Sequence, residues 1–153
     1  MGYVANIRKY VGHQPLILPG SVVGILNEEN ELLLQQRLDG SWGLPGGIME
    51  LGESLEETAR REVKEESGLE VGELTLVHVF SGKDFYLKVP NGDELYSVTA
   101  VYITKDVRGS LQVDPRESMG MEYVSIDHLP TPLNSGTHKF LEAISAKLSI
   151  LNE

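Results

Sequence analysis

The sequence predicts an α+β fold in which a mixed β-sheet lies between helices, and three observations lead there. Clear helical period occurs in only two segments, 54–67 and 137–150, with a possible third helix over residues 3–11. Short β-rich runs punctuated by Pro, Gly and Asn fill most of the interval between them. With 153 residues, 41% hydrophobic and 24% charged, the chain has the size and composition of one globular domain, 1–153.

Taken in order, the runs Val22–Leu26 and Glu31–Gln36 flank Asn27-Glu28-Glu29-Asn30, a turn composition that predicts an antiparallel hairpin. Helix 54–67 has firm limits: Ser54 caps it, Glu57 three residues on completes a capping box, and Gly68 suits the left-handed C-terminal cap. A strand over Leu74–Phe80 follows. Next comes a second hairpin, Phe85–Val89 and Glu94–Thr104, joined by Pro90-Asn91-Gly92-Asp93, whose Asn-Gly is a strong turn signal. Further strand is expected at Leu111–Val113 and Glu122–Ile126. In the last helix Phe140, Ala143, Ile144, Lys147 and Leu148 form one stripe, the lysine contributing its stem.

Charge and composition narrow the chemistry. A formal charge of -10 disfavours duplex nucleic acid as a partner, since it repels a phosphate backbone. Small phosphorylated ligands remain compatible with an acidic chain when carboxylates hold divalent cations. The absence of cysteine excludes disulfides, thiolate metal sites and thiol nucleophiles. No apolar run approaches bilayer-spanning length and no hydrophobic leader is visible, so no membrane partner is expected and a cytoplasmic location follows by default.

On helix 54–67, Glu62, Glu65 and Glu66 fall within about 100° of one another, beside the row Leu55, Ala59 and Val63 that can pack on the sheet. A solvated acidic face is one reading of these carboxylates. Two neighbours favour another: Arg61 lies among them, and Trp42-Gly43-Leu44-Pro45-Gly46-Gly47 is a glycine-rich approach that lets backbone come close to a cation or phosphate. Oxygen ligands without His or Cys suit Mg²⁺, with Mn²⁺ able to substitute. The residues thus point to a carboxylate–metal site acting on a phosphorylated substrate.

Gly47, Glu53, Arg61-Glu62-Val63, Glu65-Glu66 and Gly68-Leu69, at the spacing found here, resemble the Nudix box over residues 47–69, with no departure at any fixed position. The Trp-x-Leu-Pro-Gly-Gly approach and Glu122-Tyr123-Val124-Ser125-Ile126 extend the resemblance over most of the chain. It implies an α/β/α Nudix sandwich, MutT-like, that hydrolyses a nucleoside diphosphate linked to another moiety with Mg²⁺ as cofactor. By the same resemblance Glu62, Glu65 and Glu66 are metal ligands, while Glu53 and Arg61 brace the loop against the helix, their alternative being a surface ion pair. The carbonyl of Gly46 is either a further ligand or part of a turn. Glu117 either reaches the metals or is a solvated loop residue. Glu62 is the favoured general base and Glu117 the other candidate.

For the substrate, Arg37 is expected on phosphate, with a solvent-facing arginine as the competing view. Trp42 and Tyr86 are candidates to stack on a base, although strand aromatics also serve as core. Family members acting on dinucleoside polyphosphates tend to carry a tyrosine where Tyr86 stands, and Lys83 is placed to meet an extra phosphate. The resemblance therefore favours a dinucleoside polyphosphate or a nucleoside triphosphate over ADP-ribose or a nucleotide sugar. A regulatory domain that binds such a ligand without turnover is the runner-up. The N-terminal helix or an edge strand can pack on its own domain or in a homodimer.

Overall fold

The computed structural model describes residues 2–151. Its elements run α1 (Tyr3–Val11), β1 (Leu16–Ile25), β2 (Leu32–Arg37), β3 (Trp42–Gly43), β4 (Gly46–Ile48), α2 (Leu55–Ser67), β5 (Glu70–Val71), β6 (Thr75–Phe80), β7 (Tyr86–Lys88), β8 (Glu94–Thr104), β9 (Val107–Arg108), β10 (Ser118–Val124) and α3 (Thr137–Leu151). A mixed sheet has the order β4-β1-β8-β6, with β7 also paired to β8, and β10-β2-β3 form a second sheet.

The two faces explain why the central strands read as continuous apolar runs rather than alternating ones. Leu32, Leu34, Val101 and Ile103 pack with Phe140, Leu141 and Ile144 of α3. Leu33, Ala100 and Tyr102, with Val23 and Ile25 of β1, pack with Ala59 and Val63 of α2. Burying a side chain of this size stabilises the fold by about 1.5–3 kcal/mol, so two helical stripes hold the sheets from opposite sides. The expected α+β sandwich is the observed one.

Helix α2 starts and ends as its sequence dictates. Ser54 and Glu57 form the reciprocal capping box, and Gly68 closes the helix at φ 77°. The hairpin β7–β8 also forms, with Tyr86 opposite Tyr96, though a 3-10 turn over Lys83–Phe85 takes the start of the expected strand.

Three expectations are corrected. Strands β1 and β2 meet only at an antiparallel bridge between Leu26 and Leu32, then diverge into different sheets. The cause is long-range pairing: β1 runs parallel to β8 from Leu16–Leu95 to Ile25–Thr104, while β2 pairs with β10. Residues 111–113 form no strand; Gln112 instead donates its backbone N–H to the Ser67 carbonyl at 2.7 Å, tying the loop to the end of α2. The last expected strand lies earlier, at β10.

Helix α1 lies on its own chain. The Glu50 carboxylate accepts from Tyr3 N at its N-terminal end, and Arg8 donates to the Glu94 carbonyl at 2.7 Å near its C-terminal end. No helix among the described residues is long and apolar enough to cross a membrane.

Candidate active site

The site is built where β4 crosses β1 beneath α2. Gly46 and Gly47 pair with Val22 and Ser21. A Cβ on Gly46 would collide with the Ser21 carbonyl, so that position needs glycine for close approach, while one on Gly47 would displace the Glu62 carboxylate. Sequence spacing placed these glycines beside the helix, and the contacts give the reason.

Arg61 is the hub. Its Nε and Nη2 reach the two Glu53 carboxylate oxygens at 2.6 and 3.0 Å, and Nη2 also donates to the Ile48 carbonyl at 3.0 Å. Glu53 further accepts from Glu50 N and from Thr58 Oγ1, both at 2.9 Å. Hydrogen bonding from the guanidinium holds the Glu53 carboxyl down at about 2, and the same bonds raise Arg61 further above its ordinary value. The loop is thereby clamped to the helix.

The remaining Arg61 nitrogen, Nη1, contacts Glu62 at 2.8 Å and Glu65 at 3.3 Å. Glu65 is more than half exposed, whereas Glu66 is only 7% exposed. One Glu66 oxygen accepts a long 3.4 Å bond from Gly46 N, and the other, Oε2, has no partner. Burial, then the facing carboxylate of Glu62, push the Glu66 carboxyl up to about 8, with Arg37 opposing. Two facing carboxylates, one deeply buried and one oxygen unpartnered, call for a positive charge. Their hard oxygens fit a divalent cation, and Glu62 and Glu66 are the residues placed to hold one. Among the described residues no three acidic or histidine side chains are gathered closely enough to ligate a metal as they stand, with Glu62 and Glu65 both drawn onto Arg61.

Beside this pair opens a cavity of about 280 Å³ lined by Arg37, Gly46 and Gly47 at one end and by Phe85, Leu87, Leu95 and Phe140 among others. Arg37 thus joins the site, and its side chain makes no ion pair among the described residues. Ser118 pairs with Arg37 across β10 and β2, so Glu117 stands at the strand end next to it, exposed and without a side-chain partner among the described residues. The other expected substrate residues lie elsewhere. Trp42 is half-buried against the α3-side core. Lys83 is exposed on the 3-10 turn. Tyr86 points to the outer face, where its hydroxyl donates to Glu94 and its ring lies 5.4 Å from Tyr96. The cavity takes the alternate side chains of that segment, Phe85 and Leu87, together with Asn134, Ser135 and Thr137 before and at the start of α3. The strand's two-residue period carried this signal, but both phases of Phe85-Tyr86-Leu87 are apolar enough to face inward.

A family model of the NUDIX domain matches residues 19–144. This chain belongs to the Nudix family. Its Nudix box is the loop, brace and helix just described. The chain is 34% identical over 116 residues to an ADP-ribose pyrophosphatase of Methanocaldococcus jannaschii, covering 72% of this chain and 63% of that protein. It is 33% identical over 112 residues to a putative 8-oxo-dGTP diphosphatase of Bacillus subtilis, covering 72% and 68%. Among solved structures, a MutT NUDIX hydrolase from Burkholderia pseudomallei superposes with TM-score 0.72 at 29% identity, over 86% of this chain and 98% of that one. The shared architecture is the MutT-like Nudix fold.

Proposed function

We propose that this Nudix domain is a Mg²⁺-dependent pyrophosphohydrolase that cleaves a nucleoside diphosphate linked to another moiety. The observation that carries the reading is the buried Glu66 carboxylate, one oxygen of it unpartnered, facing Glu62 beside the glycines that line the cavity. When bound there, Mg²⁺, or Mn²⁺ in its place, neutralises pyrophosphate oxygens and makes coordinated water acidic. Glu62 and Glu66 are the principal ligands, with Glu65, the Gly46 carbonyl and Glu117 completing the set.

The chain's own residues do the rest. Arg37 holds a phosphate by charge-assisted hydrogen bonds. Glu53 and Arg61 keep the Gly46–Ile48 backbone against α2, so that the carboxylates meet the substrate in one geometry. Glu62, its carboxylate oriented by Arg61, takes the proton from the attacking water, and Glu117 is the second candidate for that role. No covalent intermediate is needed.

Cavity size bears on the substrate. At about 280 Å³ it lies at the small end of ligand pockets, enough for one nucleoside between Phe85, Leu87 and Phe140 with the phosphates toward Arg37. A nucleoside triphosphate suits this better than a dinucleoside polyphosphate, whose recognition by Tyr86 and Lys83 the cavity does not support. The name of the B. subtilis relative leans the same way, and that of the M. jannaschii relative leans toward ADP-ribose. The test is kcat/KM for (d)NTPs, dinucleoside polyphosphates and ADP-ribose with Mg²⁺ and in EDTA. A triphosphate is expected to lead and all activity to vanish in chelator; a tenfold lead for ADP-ribose overturns the substrate assignment, and full turnover in EDTA overturns the mechanism.

A further inference from the structure

Three of the buried side-chain atoms without partners, Glu66 Oε2, Gln35 Oε1 and Ser118 Oγ, belong to the helix and the two paired strands that build this site. Native interiors rarely leave such atoms unsatisfied, and a cluster of them marks a place where something polar is held. The burial is deep, with Gln35 and Ser118 each 2% exposed.

Register puts them together. Along β2 the side chains alternate, with Leu32 and Leu34 in the α3-side core and Leu33 in the α2-side core. Gln35 and Arg37 therefore follow Leu33 on the α2 face. Ser118 is directly opposite Arg37 on β10, and directly opposed residues share a face, so it joins them, diagonal to Gln35. On α2, Glu66 is one turn beyond Val63, which belongs to the same core as Leu33, and the Arg37 charge acts on its carboxyl.

The chemistry of the three atoms is complementary to water. Two are acceptors, the carboxylate and carboxamide oxygens, and the serine hydroxyl both donates and accepts. A water that donates to Glu66 and Gln35 and accepts from Ser118 satisfies all three at once, within the two to four partners that buried waters have. We infer that Gln35 and Ser118 are positioning residues of this site: with Glu66 they fix a buried water that orients the Glu66 carboxylate toward the cation. The inference rests on the cation site proposed above. In an apolar core the same positions would carry valine or alanine without loss. Here a glutamine and a serine stand on a strand pair whose other α2-facing residues, apart from Arg37 at the strand end, are apolar or aromatic: Leu33, Met121 and Tyr123.

The test uses metal alone as probe. Mn²⁺ is titrated into the metal-free chain and followed by electron paramagnetic resonance, for the wild type, Gln35→Met, Ser118→Ala, the double variant and Glu66→Gln. Changes to residues that orient a ligand weaken metal affinity by roughly 10–100-fold. Each single variant is therefore expected to weaken Mn²⁺ binding about tenfold, with the double variant no worse than the stronger single one, because both act through one water. Thermal stability of the metal-free variants is expected to fall only slightly, since each loses one hydrogen bond to the water. Should Gln35→Met fail to fold, Ser118→Ala carries the same test. Unchanged Mn²⁺ affinity in the folded variants, alongside loss of binding in Glu66→Gln, overturns this inference and leaves the cation site standing. Absence of Mn²⁺ binding in the wild type overturns the cation site itself.

Discussion

Glu53, bound to Arg61, and Glu66, facing Glu62, have opposite electrostatic fates. Glu53 receives two guanidinium nitrogens, a backbone N–H and a threonine hydroxyl, and its carboxyl is held at about 2. Glu66, more deeply buried, has one long bond and an orphan oxygen, and its carboxyl stands at about 8. A carboxylate that the fold satisfies is a structural part. One that the fold leaves unsatisfied is a site waiting for its ligand.

The largest expected effect separates the two in activity. Glu66→Gln keeps size and removes a ligand charge, so turnover should fall about a thousandfold, as expected when several kcal/mol of charge stabilisation disappear. Its Tm without metal should not fall. Near wild-type kcat in this variant breaks the comparison from the side of Glu66.

Glu53→Gln should act mainly on stability. Losing the charged half of the Arg61 pair costs about 2 kcal/mol, or roughly 5 °C in Tm for a chain of this size. Thermal melts read it directly; an unchanged Tm would show that the brace is idle.

Next comes pH, where the two groups carry opposite signs. The ordinary carboxyl value is 4.5, and Glu53 lies below it at about 2. Its stabilisation is complete above pH 4.5 and fades as pH falls toward 2. Glu66 lies above 4.5 at about 8, so the folded state keeps a proton that the unfolded chain releases. Metal-free stability should therefore decline as pH rises from about 4.5 to 8. Melts across pH 3–9 should show both limbs, and Glu66→Gln should flatten only the upper one.

The smallest effect is expected at Tyr86. Because its ring lies outside the cavity, Tyr86→Ala should change kcat/KM ratios among nucleotides by less than about twofold, whereas Phe85→Ala should raise KM. A selective loss for one substrate class in Tyr86→Ala would return the outer face to the binding site.

The difference between Glu53 and Glu66 was only partly legible in the sequence. Their spacing, the capping box at Ser54 and Glu57, and the cap at Gly68 are local, and local signals located α2 and its acidic face. Nothing local told which carboxylate would be buried, because that depends on β4 passing under the helix at Gly46 and Gly47. The split of β1 and β2 into two sheets was hidden for the same reason, since the partners β8 and β10 lie some 80 to 90 residues away along the chain. Gln35 and Ser118 carried no motif at all; only their burial on a shared face singles them out.

The most direct measurement is proton release on cation binding. Since burial and the facing Glu62 hold the Glu66 carboxyl up at about 8, and it must ionise to hold Mg²⁺, titration calorimetry at pH 7 in buffers of different ionisation enthalpy should report close to one proton released per ion. Glu53→Gln should release the same proton, and Glu66→Gln none. Saturable Mg²⁺ binding with no proton release in the wild type, or with undiminished release in Glu66→Gln, would contradict the account.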